Sequence, residues 1–309
     1  MTGKLQTETA DSITYVKGDL FVLGSESRDV HDRGWIGEQQ TGDRNVVAFS
    51  FVPVQVRFGS SDPVVLGPTT LALTNPRCPY TRSALSSSGQ RTIFLSMDSS
   101  IARELIQLHD PFAADSDHDL FPTRHAPSST QATALIRRFE QCATEPDSSI
   151  DQMEFDEISL GIIQHALDGV YEFIDSRPIH SATGPTLRAQ RDWVDYAMTL
   201  MSEFPERRWS LISLADEVDL SPGYLSRLFR VHTGRTLSQT LKVIRLVRIL
   251  DRLPYMRGEQ LALALDAGFS SHAHMSTAFK SVFGITPSQW IDSGSRDLRE
   301  WASNTSWQH

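Results

Sequence analysis

Residues 221–239, SPGYLSRLFRVHTGRTLSQ, and residues 271–289, SHAHMSTAFKSVFGITPSQ, are one pattern written twice at an offset of about 50. Seven pairs are identical between them: Ser221 and Ser271, Ser226 and Ser276, Phe229 and Phe279, Gly234 and Gly284, Thr236 and Thr286, Ser238 and Ser288, Gln239 and Gln289. Leu225 stands opposite Met275, and Arg230 opposite Lys280. A period of this size marks an internal repeat, so the two stretches read as one supersecondary unit used twice.

Each copy reads as helix, tight turn, helix. In the first, Leu211, Leu214, Ala215 and Val218 recur at helical spacing, and Ser221-Pro222 supplies an N-cap followed by proline at the first helical position. Leu225, Leu228 and Phe229 then form the inner face, Gly223, Tyr224, Ser226, Arg227 and Arg230 the outer one, and Gly234 the stop. The second copy has Leu261, Leu263, Ala264 and Ala267 before a cap at Ser270 or Ser271; Met275, Ala278 and Phe279 point inward, and His272, Ala273, His274, Thr277 and Lys280 outward. Counting from Ala215 to Leu225 and from Ala264 to Met275 makes the second turn one residue longer. Between the copies, Leu241, Ile244, Leu246, Val247, Ile249, Leu250 and Leu253 make a helix apolar enough to pack on both neighbours. Two units fixed side by side suit two successive major grooves, about 34 Å apart. Residues 205–292 are accordingly expected to bury their apolar faces among themselves and to fold alone.

Over residues 209–291 the chain resembles the arabinose-regulator (AraC/XylS) family of bacterial transcription factors. The resemblance is carried by LADEVDLSPGYLSRLFR, by Arg245-Leu246 in the connecting helix, by AGFSSHAHMSTAFKSVFG and by GITPSQW. The sequence departs from the usual family pattern at Ile249, Gln260, Met275 and Thr277, where the family favours alanine, an apolar residue, phenylalanine and arginine. The resemblance implies that the outer residues of both second helices face DNA. Arg227 has the planar fork for a bidentate guanine contact, with a phosphate contact as its second reading. Tyr224 fits either a base contact or packing over the turn. His272 and His274 fit bases or phosphates, with a local helix cap as a second reading of His274, and Arg230, Arg245 and Lys280 fit phosphate partners or solvated charges rather than readers of sequence.

The net charge of −9 divides unevenly. Residues 205–292 hold 11 Lys+Arg against 8 Asp+Glu, and residues 1–204 hold 16 against 28. A basic reader joined to an acidic module accounts for this, since phosphate neutralisation needs local positive charge. Cys78 and Cys142 lie far apart without CxxC spacing and read as free thiols, with neither a disulfide framework nor a zinc site. The opening MTGKLQTETADS lacks a signal-peptide core, and no apolar run reaches about 18 residues. A cytoplasmic protein with no membrane partner is expected.

The remainder reads as an α+β chain. Short apolar runs at 20–23, 46–51, 64–66, 71–73 and 93–95, with period-two alternation at Val54, Val56 and Phe58, suggest a small barrel or jelly roll over about 12–97. The family resemblance implies a cupin-like β-barrel for effector sensing, with NPRCPY (75–80) as a strand-connecting turn. Helices follow over about 99–175, giving a sensing and dimerisation domain at 1–180, a linker helix within 181–208, the double helix-turn-helix domain at 209–292 and a tail at 293–309. Trp35, Phe49, Phe51, Phe58 and Tyr80 are candidates to line an effector pocket, or simply core. The helix at about 153–175 carries a broad apolar stripe that either packs on the barrel or, with Ile163 and Leu167, forms a homodimer face.

No metal or cofactor is indicated. The acidic run Asp115, Asp117, His118, Asp119 has Leu120 where a calcium loop needs glycine, so it reads as a solvated loop within a mobile segment at 110–129. Serine clusters at 86–88 and 127–129 lack a GxSxG elbow, and no phosphate-binding glycine motif is present, which argues against an enzyme. The function expected is a sequence-specific regulator binding double-stranded DNA and a small-molecule effector, with RNA polymerase as a further partner. The alternative is a small-molecule or protein-interaction module that uses helix-turn-helix packing without DNA.

Overall fold

The computed structural model describes residues 5–10, 12–31, 37–85, 89–111, 119–145, 148–176, 185–255 and 258–303. Ten strands come first: β1 (Gln6–Ala10), β2 (Ile13–Lys17), β3 (Phe21–Arg28), β4 (Gln39–Gln40), β5 (Asn45–Ser50), β6 (Val54–Phe58), β7 (Val64–Leu66), β8 (Thr70–Thr74), β9 (Pro79–Ala84) and β10 (Gln90–Met97). Helix α1 (Ser99–Gln107), strand β11 (His125–Pro127), α2 (Thr130–Thr144) and α3 (Gln152–Ser176) follow. Every strand pairing is antiparallel, in a seven-stranded sheet ordered β1-β2-β3-β10-β5-β8-β11 and a four-stranded sheet ordered β4-β9-β6-β7. The α+β class is as expected; the strands lie in two facing sheets, and among the described residues no pairing closes them into a ring. Strand β11 falls inside the segment expected to be a loop, while Asp115, Asp117, His118, Ser86–Ser88 and the 181–184 junction lie outside the described residues.

The larger sheet is covered on both faces, and the period-two pleat sorts its side chains accordingly. In β5, Val47 and Phe49 join the helix-facing core while Val46, Ala48 and Ser50 face the smaller sheet. In β10, Ile93, Leu95 and Met97 take the first face and Thr92, Phe94 and Ser96 the second. The helix-facing core is completed by Phe139 of α2, by Phe155 at the start of α3, whose ring lies 5.0 Å from that of Phe139, and by the rest of the α3 stripe.

That stripe is fully used inside one chain. Ile158, Ile162 and Ile163 are 0% exposed and Leu167 1%, packed against α2, β11 and a final helix, α11. The expected dimer face at Ile163 and Leu167 is therefore corrected: helical periodicity marks a face as buried, and here the covering comes from the chain itself. Part of it comes from the expected tail, which forms α11 (Ser295–Ser303) with Leu298 and Ala302 turned inward. The two helices cross closely at Gly161, where a Cβ would come within 2.5 Å of the Ala302 carbonyl oxygen.

The C-terminal half runs α4 (Pro185–Glu203), α5 (Leu211–Glu217), α6 (Pro222–Thr233), α7 (Leu237–Leu250), α8 (Gln260–Asp266), α9 (His272–Phe283) and α10 (Pro287–Asp292). As expected, α7 packs on both sides, but into two different cores. Leu241 and Ile244 join α4, α5 and α6. Val243, Leu246, Val247, Ile249 and Leu250 join α8, α9 and α10, and that cluster is continuous with the N-terminal helices. Arg138 Nε donates to Ser293 Oγ at 3.0 Å and Gln141 Nε2 to the Leu250 carbonyl at 3.3 Å across this contact, and Arg137 pairs with Asp251. The expectation that residues 205–292 bury their apolar faces unaided is corrected: the second unit shares its core with α2 and α3. Among the described residues no helix is long and apolar enough to cross a membrane.

Candidate nucleic-acid interface and sensor cavity

The first unit is fixed by local chemistry. Ser210 makes a capping box with Ser213, the Ser221 hydroxyl accepts from the Tyr224 N–H, Pro222 occupies the first turn of α6, and Gly234 ends it at φ +72°. Leu225, Leu228 and Phe229 are buried against Leu214 and Ala215 of α5 and against Val194, Met198 and Met201 of α4. Gly223, Ser226, Arg227 and Arg230 are consequently exposed on the opposite face. Tyr224 lies between the faces: it accepts a hydrogen bond from Gln190 Nε2 at 3.3 Å, meets Trp193 edge-on at 6.3 Å, and carries the Arg227 guanidinium 5.5 Å from its ring centre. These contacts make the ring a shelf under Arg227.

The second unit repeats the scheme. Ser271, one of the two expected caps, accepts from the His274 N–H, and Gly284 closes α9 at φ +77°. The turn between α8 and α9 holds five residues, 267–271, against four, 218–221, in the first unit, so the expected extra residue is present. Met275, Ala278 and Phe279 are buried, while Ala273, His274, Thr277 and Lys280 are exposed. His272 is partly buried with Nε2 3.1 Å from Ser276 Oγ. His274 Nδ1 lies 3.1 Å from Ser270 Oγ, and its ring stands edge-on to Phe269 at 5.4 Å. The outer face of α6 thus offers two guanidiniums and that of α9 one ammonium. Arg245, expected at a phosphate or in solvent, is instead a brace: its Nε donates to the Pro205 carbonyl at 2.6 Å and Nη2 to that of Arg207 at 3.0 Å.

Between the two N-terminal sheets lies a cavity of about 480 Å³. Phe58 and Tyr80 line it as expected, but Phe49 and Phe51 do not; they sit in the helix-facing core, and Trp35 lies outside the described residues. The inverse assignment follows from the pleat, because an aromatic at a strand position says that a face is covered and leaves open which layer covers it.

The cavity residues missed are Tyr15 and Phe94, whose rings meet edge-on at 6.2 Å, and a buried polar wall on β3, β9 and β10. In that wall Arg82 donates twice to Glu26, at 2.8 and 2.9 Å, and once to Gln90 at 3.0 Å; Gln90 donates to Thr92 at 2.7 Å, and Arg28 also pairs with Glu26. Burial pushes the Glu26 carboxyl up, but the hydrogen bonds and charge of Arg82, then Arg28, outweigh it and hold it below the usual carboxylate range. Burial raises the Tyr80 hydroxyl. Polar residues alternating with apolar ones along β3 and β10, Glu26 after Leu23 and Thr92 before Ile93, were the available signal for this wall.

Comparison with known proteins bears on the C-terminal part. Residues 214–293 match the helix-turn-helix domain family. The chain is 23% identical over 155 residues to the melibiose operon regulatory protein of Escherichia coli K12, covering 50% of this chain and 51% of that protein. It is 40% identical over 85 residues to the transcriptional regulator GlxA of Rhizobium meliloti, covering 26% and 25%. The chain thus spans about half the length of the first of these relatives and less of the second. Among solved structures, ToxT from Vibrio cholerae aligns over 88% of this chain and 98% of its own at 12% identity, with a TM-score of 0.35.

Proposed function

We propose that this chain, whose residues 214–293 belong to the helix-turn-helix domain family and are of the arabinose-regulator type, is a sequence-specific DNA-binding transcription regulator whose N-terminal sheets hold a small-molecule effector. The observation that carries the reading is the repeated geometry of α6 and α9. Each is capped by serine, stopped by glycine and buried along one face, and each turns a short polar row to solvent. A helix presented in this way fits the major groove, with its early residues on base edges.

On α6 the base-reading row is Gly223, Ser226 and Arg227, with Arg230 on the backbone; on α9 it is His272, Ala273, His274 and Thr277, with Lys280 on the backbone. Double-stranded DNA is the first partner and the effector the second; RNA polymerase and a cytoplasmic location follow from the role. The cavity supports the sensing half, lying between two sheets and combining apolar walls with a few convergent polar groups. The reading involves no catalysis.

The test is selection of bound sequences from random duplex DNA with the full chain, followed by titration at several salt concentrations. An enriched sequence whose affinity falls linearly with log salt is expected, with a slope near −0.9 per phosphate contact. No enrichment at any salt would assign the double unit to protein interaction instead.

A further inference from the structure

The two helix-turn-helix units share α7 but bury their apolar residues in separate clusters. A second connection between them lies in the loop of residues 204–210, where α4 leads into α5. Besides the two carbonyls of this loop that it bonds, the partly buried Arg245 of α7 holds its guanidinium 6.0 Å from the centre of the Phe269 ring, in the turn of the second unit. Phe269 is buried and meets His274, on the outer row of α9, edge-on at 5.4 Å. On the side of the first unit, Arg207 pairs with Glu217 of α5 at 2.8 Å and lies 4.1 Å from the Trp209 ring centre. One guanidinium therefore joins the loop, the connecting helix and the second turn.

Comparison of the two copies separates this contact from the needs of the turn itself. The Leu220 N–H donates to the Ala215 carbonyl at 3.0 Å and the Phe269 N–H to the Ala264 carbonyl at 2.9 Å, which makes Asp219 and Gly268 equivalent. Both are left-handed, at φ +54° and +86°. The first turn takes this conformation with an exposed aspartate, so the conformation alone does not demand glycine. The surroundings do: a Cβ on Gly268 would come to 2.9 Å from Glu206 Cα, from the Pro205 carbonyl oxygen and from Arg245 Nε. The second turn lacks a side chain where the loop of the first unit passes.

We propose that Arg245 and Gly268 are positioning residues: through the 204–210 loop they fix α6 and α9 relative to each other, and so set the separation of subsites that the chain accepts on DNA. Within the C-terminal half, α7 by itself holds the units by opposite faces of one rod. The loop contact adds an attachment a side chain's length from the axis of that rod, where it opposes rotation of one unit against the other. The distinction matters on a duplex, because one inserted base pair moves the second subsite by about 3.4 Å and turns it by about 34°. Rigidly held helices cannot follow that displacement, whereas loosely held ones can. The consequence for DNA rests on the DNA-binding reading; the contact between the units does not.

The experiment uses the full chain. Val231 and Ser281, exposed at equivalent places on α6 and α9, are changed to cysteine and spin-labelled, the native Cys78 and Cys142 being buried. Electron double resonance then gives the distance between the two helices without DNA. One narrow distance is expected with Arg245 and Gly268 in place, and a broader or shifted distribution in Arg245→Gln. Gly268→Asn, which suits the left-handed turn but puts a side chain into the loop, should do the same, and it keeps the test open if Arg245→Gln does not fold. Asp219→Ala, at the equivalent turn position, should leave the distance as it was. An unchanged distribution in Arg245→Gln and Gly268→Asn, or an equal broadening in Asp219→Ala, overturns the proposal. On DNA, inserting one base pair between the selected subsites should weaken the wild type about tenfold or more, the order of one misplaced base pair, and weaken the two variants by clearly less. A spacing preference as steep in the variants as in the wild type overturns the positioning role. Distances that respond as stated in a chain that enriches no sequence would remove the DNA reading and leave the contact between the units.

Discussion

Replacing Arg227 tests the reading of the first unit most directly. Its guanidinium is exposed and rests 5.5 Å from the Tyr224 ring centre, while Tyr224 is bound by Gln190 and Trp193 of the linker helix. The fork is therefore partly ordered before DNA arrives, which lowers the entropy lost on binding. A bidentate pair to guanine discriminates by about 1–3 kcal/mol, which is roughly 5- to 150-fold at about 1.4 kcal/mol per decade. Arg227→Ala should reduce affinity for the selected site by that factor and leave affinity for the same site with one altered base nearly unchanged. Arg227→Lys keeps the charge but loses the fork, so it should reproduce the loss of base preference with an unaltered salt slope. Tyr224→Leu removes the shelf, about 0.5–1 kcal/mol at an exposed site, and should weaken binding roughly two- to fivefold. Fluorescence anisotropy on the selected duplex and its single-base variants, across a salt series, gives all four quantities. A uniform loss on every sequence with a salt slope shallower by about 0.9 would make Arg227 a phosphate contact and refute the assignment.

The remaining predictions concern the second unit and the core. Thr277→Ala should cost less than Arg227→Ala, and the selected site should hold fewer specified bases in the half read by α9; a sharper preference in that half would reverse the roles. Leu167→Lys places an ammonium in the core between α3 and its neighbours and should abolish cooperative unfolding by circular dichroism, whereas a soluble protein with native ellipticity would reopen that face as a surface. Leu298→Ala should lower stability to urea by about 2–5 kcal/mol, the usual range for a buried leucine, and a loss under about 1 kcal/mol would mean that α11 does not cover α3. Because Glu26 is held below its ordinary value, its contribution is present above about pH 4.5 and is lost as pH falls through the depressed value. The stability difference between wild type and Glu26→Gln should accordingly narrow toward acid, and a difference independent of pH between 3 and 6 would contradict the pairing with Arg82 and Arg28.

The double unit was legible in the amino-acid sequence almost completely. Ser221-Pro222, Ser271, Gly234 and Gly284 act within one helical turn of where they stand, and the spacing of Leu225, Leu228 and Phe229 settles which face of α6 is inside whatever lies against it. The extra residue in the second turn could be counted, and the exposed row from Gly223 to Arg230 followed from the same periodicity. These are local properties, and a nineteen-residue window contains their causes.

What covers each buried face was settled by packing between segments remote in sequence. The stripe on α3 and the aromatics of β5 announce burial, and nothing along the chain says whether a second copy, a ligand or another segment provides it; the answer, α11 and the helices above the larger sheet, comes from parts of the chain remote in sequence. The same holds for Arg245, a cation taken up by two carbonyls 40 and 38 residues away. Periodicity is a statement about one element's own geometry. Partnership is a statement about two, and it is fixed when the chain closes on itself.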